Sequence, residues 1–374
     1  MTRVMTRVMA RVMARVMALA GVVGLALAGC APTPAPAREA PRESATTRQL
    51  AAYVDGLVGA QQFRGAVEVR LGDQLLLSRG FDKAGDGKPA EPDTRYLIAS
   101  MSKQFTALAV LLLQQRDKLH VTDAVCDYLP DCPPAWRVIT IDQLLTHTAG
   151  LFDYLDVEPE VAAQEFARIG AAAPSPEQLT SLFASKPLEF APGAKFQYSN
   201  SGYVLLGRVV EKLSGQDYGD FLRTAILDPL RMADTGYEPG GTGLATGYDS
   251  WTATADAHDT SAYYAAAGIY STVRDMARWN DFLLTDSPMI AEPETLAELL
   301  RPRVEVNALE QYGYGIQTRK VGGQTAYFHS GGLPGFASYN EIQPGAGVSV
   351  TVLSNLGTAN ADHIGRTLAT MAQQ

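Results

Sequence analysis

The stretch "YLIASMSKQF", residues 96 to 105, sets Ser100 and Lys103 three positions apart where an apolar run enters a helical pattern. In a helix beginning near Ser100 the two side chains share one face. A serine hydroxyl is a poor nucleophile until a base takes its proton. A lysine is such a base only where its surroundings lower its pKa and leave it neutral. The pair therefore carries the chemistry of attack on a carbonyl. The rival reading is an N-cap serine followed by a solvated lysine; Ser102 competes for the cap, although its offset of one residue makes it the worse partner for Lys103. His147 and Asp153 invite a Ser-His-Asp reading, which is weaker because no serine of the chain sits in a G-x-S-x-G elbow.

Several elements must position these groups. "TTRQLAAYVDGLVGA" predicts an amphipathic helix ending near Gly59, and "FRGAVEVRLGDQLLLSRGF" alternates apolar positions around Gly72 and Asp73, the pattern of a hairpin. "SKQFTALAVLLLQQRDKL" predicts a helix with Phe105, Leu108, Ala109, Leu112 and Leu113 on one broad face. After Val121, the prolines, "TIDQLLTHTAGLFDYL" and the stretches 176 to 186 and 202 to 213 predict mostly helices and long loops. Three strand-like runs follow within 324 to 355, and "NADHIGRTLATMAQQ" predicts a closing helix. The expected fold class is α/β (α+β): an antiparallel sheet flanked by N- and C-terminal helices, with an inserted, mostly helical domain. The expected boundaries are 44–110 and 265–374 for the sheet domain and 111–264 for the insertion.

Three motifs in order carry a resemblance to a known family: Ser100-Met-Ser-Lys103, Tyr198-Ser199-Asn200 and His329-Ser330-Gly331. With "LLTHTAGL" at 144 to 151, "FAPGAKFQYSNSGYVLLG" at 190 to 207 and "AAGIYSTVRDMARW" at 266 to 279, the chain resembles the serine beta-lactamase and penicillin-binding-protein superfamily. The branch is that of class C beta-lactamases and D-alanyl-D-alanine carboxypeptidases, and the likeness covers roughly residues 50 to 370. The resemblance implies a beta-lactamase/transpeptidase-like fold and a serine hydrolase that forms a covalent acyl-enzyme on amide, lactam or ester bonds.

By that resemblance Ser100, Lys103 and Tyr198 are catalytic, with either Lys103 or Tyr198 as the base. The backbone N–H groups of Ser100 and Gly332 form an oxyanion hole. Asn200, His329, Ser330 and Gly331 contact substrate, Gly331 and Gly332 through the close backbone approach that glycine permits. Asn200 also has the plain reading of a turn residue, and His329 that of a buried structural histidine. His329 stands where class C enzymes usually carry lysine, so carboxylate recognition by a fixed positive charge is weakened. D-alanyl-D-alanine carboxypeptidase or D-amino peptidase activity, or carboxylesterase activity, is therefore the alternative to a beta-lactamase. A non-catalytic binding lipoprotein is disfavoured because Ser100, Lys103 and Tyr198 are all present. His147 is expected to be structural, and Trp136, Trp251, Tyr263 and Tyr264 to serve as core or cleft-wall aromatics.

The chain has 374 residues, 46% of them hydrophobic and 19% charged, enough for a large buried core. A formal charge of −9 offers phosphate backbones no long-range attraction, so nucleic acid is not an expected partner. Five scattered histidines without HExxH or a paired-cysteine motif indicate no metal, and no cofactor is expected. The expected partner is a small molecule or peptide with a scissile carbonyl; oligomeric state is not specified by the sequence.

The amino-terminal stretch places arginines at 3, 7, 11 and 15 before an apolar run and the ending "LAGC". This resembles a lipoprotein signal peptide over 1–29, with lipidation at Cys30 and membrane attachment through it. Ala31 after that cysteine points to the periplasmic side of the outer membrane in a Gram-negative source. Residues 30–43, rich in proline, read as a tether. Cys126 and Cys132, separated by "DYLPD", either pair in an oxidising compartment or stay apart.

Overall fold

Alternation along the strand Gly65–Leu71 assigns each side chain to one face of a sheet, with Ala66 in one apolar cluster and Val67 and Val69 in another. The computed structural model describes residues 44 to 374 apart from 86, 170–172, 239–242, 257–258 and 286–288. The predicted signal segment, the tether and Cys30 lie outside the described residues.

The strands of the main sheet are β1 (Gly65–Leu71), β2 (Gln74–Phe81), β3 (Val304–Glu305), β4 (Glu310–Tyr312), β5 (Gln317–Val321), β6 (Gln324–Leu333), β7 (Phe336–Gln343) and β8 (Val348–Ser354). They form one eight-stranded sheet in the order β2-β1-β8-β7-β6-β5-β4-β3, with antiparallel neighbours throughout. The first and last parts of the chain thus meet at β1 and β8, where Val67 lies opposite Val352 and Val69 opposite Val350. The hairpin and the three late strands appear as the alternation predicts. The short, polar β3 to β5 do not announce themselves in the sequence, because two to five residues give too few alternations to read.

Helix α1 (Ala45–Gly59) begins at Ser44, whose hydroxyl accepts the Thr47 N–H, and buries Leu50 and Val54. With the closing helix Ala361–Met371, which contributes Ile364 and Leu368, it covers the face carrying Val67, Val69, Val350 and Val352. The other face meets the helix Val273–Leu284, where Asn280 and Asn340 exchange hydrogen bonds of 3.0 and 2.6 Å and the Thr351 hydroxyl donates to Asn340. These buried polar groups satisfy one another, so they orient the helix on the sheet without leaving an orphan.

Helix α2 (Ser102–Gln115) is buried from Ser102 to Leu113, all round and not on one face only. It runs through the larger apolar cluster, between the sheet and the inserted helical subdomain. Helix α3 (Asn200–Ser214) crosses it and ends at Gly215, which takes the left-handed conformation, φ +69°. α3 also packs tightly on α4 (Tyr264–Ala267): a Cβ on Gly207 would lie 2.5 Å from the Ala265 Cβ. Within the insertion Cys126 and Cys132 form a disulfide, with Cα atoms 5.3 Å apart.

Candidate active site

Ser100 sits in a short 3-10 turn, Ala99–Met101, directly before α2. Neither serine caps the helix: the N-cap is Met101, and the Ser102 hydroxyl accepts the Ile269 N–H at 3.1 Å. The preceding residue, buried Ala99, has φ +50°, a left-handed conformation that costs a residue with a Cβ about 1–2 kcal/mol. The surrounding packing holds that conformation at the turn that presents Ser100.

Lys103 is wholly buried, and its Nζ donates to Asn200 Oδ1 at 2.8 Å, the Ala266 carbonyl at 2.9 Å and Ser100 Oγ at 3.3 Å. The tight α3–α4 contact at Gly207 and Ala265 helps explain these reaches, since Asn200 opens α3 and Ala266 lies in α4. The ammonium also stands 4.7 Å from the Tyr198 ring centroid and 5.3 Å from that of Tyr203. Burial pulls its pKa down to about 7, while the nearby Asp153 charge acts to raise it.

Asp153, only 9% exposed, accepts the Asn200 Nδ2–H at 2.9 Å and the Leu155 N–H at 3.1 Å. It thereby fixes the amide of Asn200 with its oxygen toward Lys103. Burial pushes the Asp153 carboxyl upward, and these two donors and Lys103 act to lower it. The site is thus a row running Asp153, Asn200, Lys103, Ser100. The sequence presents Asp153 only as a partner for His147, with which it shares no hydrogen bond among the described residues; forty-seven positions separate it from Asn200.

The Tyr198 hydroxyl is buried with no partner in bonding geometry. Burial raises its pKa and keeps it a neutral phenol, with the Ser100 hydroxyl as the neighbour that favours its ionisation. Behind it, the Ser199 N–H donates to His147 Nδ1 at 3.1 Å, which leaves the proton on Nε2 to be donated to Tyr312 Oη, also at 3.1 Å. The Tyr312 O–H in turn donates to His329 Nε2 at 3.1 Å, and His329 Nδ1–H donates to the Ser330 carbonyl at 2.6 Å. Burial first, and the Lys103 charge second, hold both histidines neutral, His329 at about 3 and His147 well below its ordinary value.

The strand β6 borders the cleft through Gly332 and Leu333, but His329 is 2% exposed behind Tyr198 with both ring nitrogens bonded, and so does not line the opening. The period of two along the strand turns it inward while Ser330 is exposed. Gly331 meets the turn that carries Ser100: a Cβ there would lie 2.5 Å from the Ile98 carbonyl and from Ser338 Oγ. Gly332, by contrast, has open space where a Cβ would stand.

Ser100, Asp153, Tyr198, Asn200 and Gly332 border one cleft of about 1150 Å³. Tyr263 also lines it, while Tyr264 and Trp136 are core residues and Trp251 lies against the Arg64 guanidinium. No group of three or more His, Cys, Asp or Glu side chains among the described residues is placed to hold a metal ion. No helix among them is long and apolar enough to cross a membrane.

The profile of the beta-lactamase family matches residues 50–373. Penicillin-binding protein 4* of Bacillus subtilis (strain 168) is 32% identical over 192 residues, which cover 50% of this chain and 41% of that protein. The chain spans about half the length of the curated relatives it matches. Among solved structures, a D-stereospecific amidohydrolase from Streptomyces sp. superposes with a TM-score of 0.71 at 26% identity, covering 87% of this chain and 98% of that one. The D-amino acid amidase from Ochrobactrum anthropi SV3, complexed with D-phenylalanine, shares the fold with a TM-score of 0.75 at 22% identity, covering 88% and 99%.

Proposed function

The chain belongs to the beta-lactamase family, and we propose that it is a serine hydrolase that cleaves amide bonds at D-configured residues through an ester on Ser100. The observation that carries this reading is the state of Lys103: wholly buried, with a pKa near 7, and 3.3 Å from the Ser100 hydroxyl. At neutral pH a large fraction of such a lysine is an amine able to accept a proton, whereas burial keeps Tyr198 protonated. Lys103 is therefore the base, and Tyr198 the proton carrier.

In this cycle Ser100 Oγ bonds to the carbonyl carbon as its proton passes to Lys103 Nζ. The carbonyl electron pair moves onto oxygen, where the backbone N–H groups of Ser100 and Gly332 receive the charge. Collapse of the tetrahedral intermediate breaks the C–N bond, and the departing amine takes a proton from Lys103 by way of Tyr198 Oη. Water then attacks the ester, gives its proton to the same base, and the acid product leaves as Ser100 recovers its hydrogen. Asn200 holds Lys103 in line throughout. Preference for amide bonds at D-residues is supported by likeness to the Streptomyces D-stereospecific amidohydrolase. Carboxypeptidase, ester and beta-lactam substrates offer the same scissile carbonyl and are the comparison set.

Intact mass spectrometry after treatment with a fluorophosphonate tests the nucleophile, with one adduct expected on the wild type and none on Ser100→Ala. Hydrolysis of D- and L-amino acid p-nitroanilides, D-alanyl-D-alanine, p-nitrophenyl esters and nitrocefin, measured side by side, tests the substrate. Dominant nitrocefin turnover would overturn the amidase reading.

We infer also that the chain is exported and anchored through a lipidated Cys30, facing the periplasm from the outer membrane in a Gram-negative source. The disulfide Cys126–Cys132 supports an oxidising compartment. Cys30→Ser is expected to move the protein to the soluble fraction; membrane retention with unchanged processing refutes the anchor.

A further inference from the structure

The wall of the cleft carries five aspartates, Asp153, Asp156, Asp249, Asp256 and Asp259, and no lysine or arginine among its described residues. Asp153 is committed to the Asn200 amide and Asp259 to the Ser261 N–H at 2.8 Å. Asp156, Asp249 and Asp256 are exposed, and none of the five enters an ion pair among the described residues. Lys103 is held by Asn200 and the Ala266 carbonyl, and Arg64 and Lys83, which stack on the Tyr248 ring beside Asp249 in the chain, form no ion pair with it among the described residues.

A second observation points to what enters. The Tyr198 hydroxyl lies buried beside the cleft that Ser100 and Asn200 also line, with Ser100 as its polar neighbour but no partner in bonding geometry. Such an atom is completed by a polar group of the occupant. A third concerns β6, where His329 has both nitrogens bonded within the protein and presents no charge to the opening. The place at which a substrate carboxylate would seek a cation is thus neutral, and the rim around it is negative. Val157, Ala162, Phe166 and Leu333 give the same cleft an apolar side fit for a hydrocarbon side chain.

Charges of like sign across a cleft repel, and low-dielectric walls focus the field, so the rim raises the local concentration of cations and depletes anions. We propose that this cleft selects substrates bearing a free protonated amine and no carboxylate near the scissile bond, that is, amino acid amides and amino-terminal peptide bonds with an apolar side chain. Acids such as D-alanyl-D-alanine and penicillins are disfavoured. The proposal rests on the hydrolase reading for its turnover test and stands apart from it for its binding test.

The turnover test uses the full chain and two matched pairs. D-phenylalanine p-nitroanilide is compared with its N-acetyl derivative, and D-alanyl-D-alanine amide with D-alanyl-D-alanine. The amine-bearing, carboxylate-free member of each pair is expected to have at least a tenfold higher kcat/KM in low salt, narrowing at 0.5 M NaCl as the field is screened. Asp156→Asn/Asp249→Asn/Asp256→Asn, with rates normalised to its own p-nitrophenyl acetate turnover, should narrow both gaps at least threefold. Equal kcat/KM within both pairs, with turnover that depends on Ser100, overturns the proposal and leaves the hydrolase reading intact.

The binding test uses Ser100→Ala and calorimetry with D-phenylalaninamide and N-acetyl-D-phenylalanine. Tighter binding of the amide supports the proposal even where no turnover is found, an outcome that would count against the hydrolase reading alone. Equal or reversed affinity overturns the proposal.

Discussion

Replacing Asp153 by asparagine removes a charge from the row that ends at Ser100 while keeping the side-chain size. Asn200 donates to Asp153 at 2.9 Å and accepts from Lys103 at 2.8 Å, so one amide spans the gap between carboxylate and ammonium. That puts the charges roughly 7 Å apart, and at an effective dielectric of 20 their attraction is about 2 kcal/mol, an upper bound for a pair bridged by a polar amide. Half of that survives as a working figure, which moves a titration by about one pH unit. The sign follows from the proposed role of Lys103 as base: a base acts when neutral, so kcat/KM should rise with pH through its pKa of about 7, which the Asp153 charge holds up. Asp153→Asn should therefore carry the acidic limb of the kcat/KM profile down, from about 7 toward 6. The assay is hydrolysis of a p-nitrophenyl ester from pH 5 to 9, with Ser100→Ala as the blank. An acidic limb that stays in place or moves up would refute the electrostatic link between Asp153 and Lys103.

Three further outcomes follow from the same geometry. Gly331→Ala puts a methyl group 2.5 Å from the Ile98 carbonyl and should cost about 1–3 kcal/mol in urea unfolding along with much of the activity, whereas Gly332→Ala, with nothing within 4 Å, should leave stability unchanged. Replacing Cys126 and Cys132 by serine removes a crosslink across a sequence separation of six, expected to lower stability by about 2 kcal/mol by loop-closure entropy; no change in the urea midpoint would refute the bond. His329, neutral in the fold with a pKa of about 3, takes a proton readily only when unfolded, so its contribution is fully present above pH 6.5 and is lost as the pH falls. Between pH 7.5 and 5 the wild type should thus lose about 2 kcal/mol more than His329→Gln, and parallel pH–stability curves would show that the histidine titrates freely.

What the sequence by itself determined is local. The spacing of Ser100 and Lys103 reads as one helical turn because three residues bring side chains to a shared face. The alternation in 65 to 81 and in 324 to 355 reads as sheet because a period of two needs only neighbours along the chain. The motif at 198 to 200 could be matched to the first by family likeness, though nothing in its own composition says that Asn200 will meet Lys103 ninety-seven positions earlier. Tertiary structure alone decided what those groups are chemically. It brought Asp153 to the amide of Asn200, closed the row from His147 through Tyr312 to His329, and used Gly331 to seat a strand against the turn of Ser100. The reason is that a pKa or a hydrogen-bond partner depends on burial and on residues far away in the chain, and both exist only once α2, α3 and the sheet have packed. A lysine written beside a serine becomes a base only when the fold takes away its water.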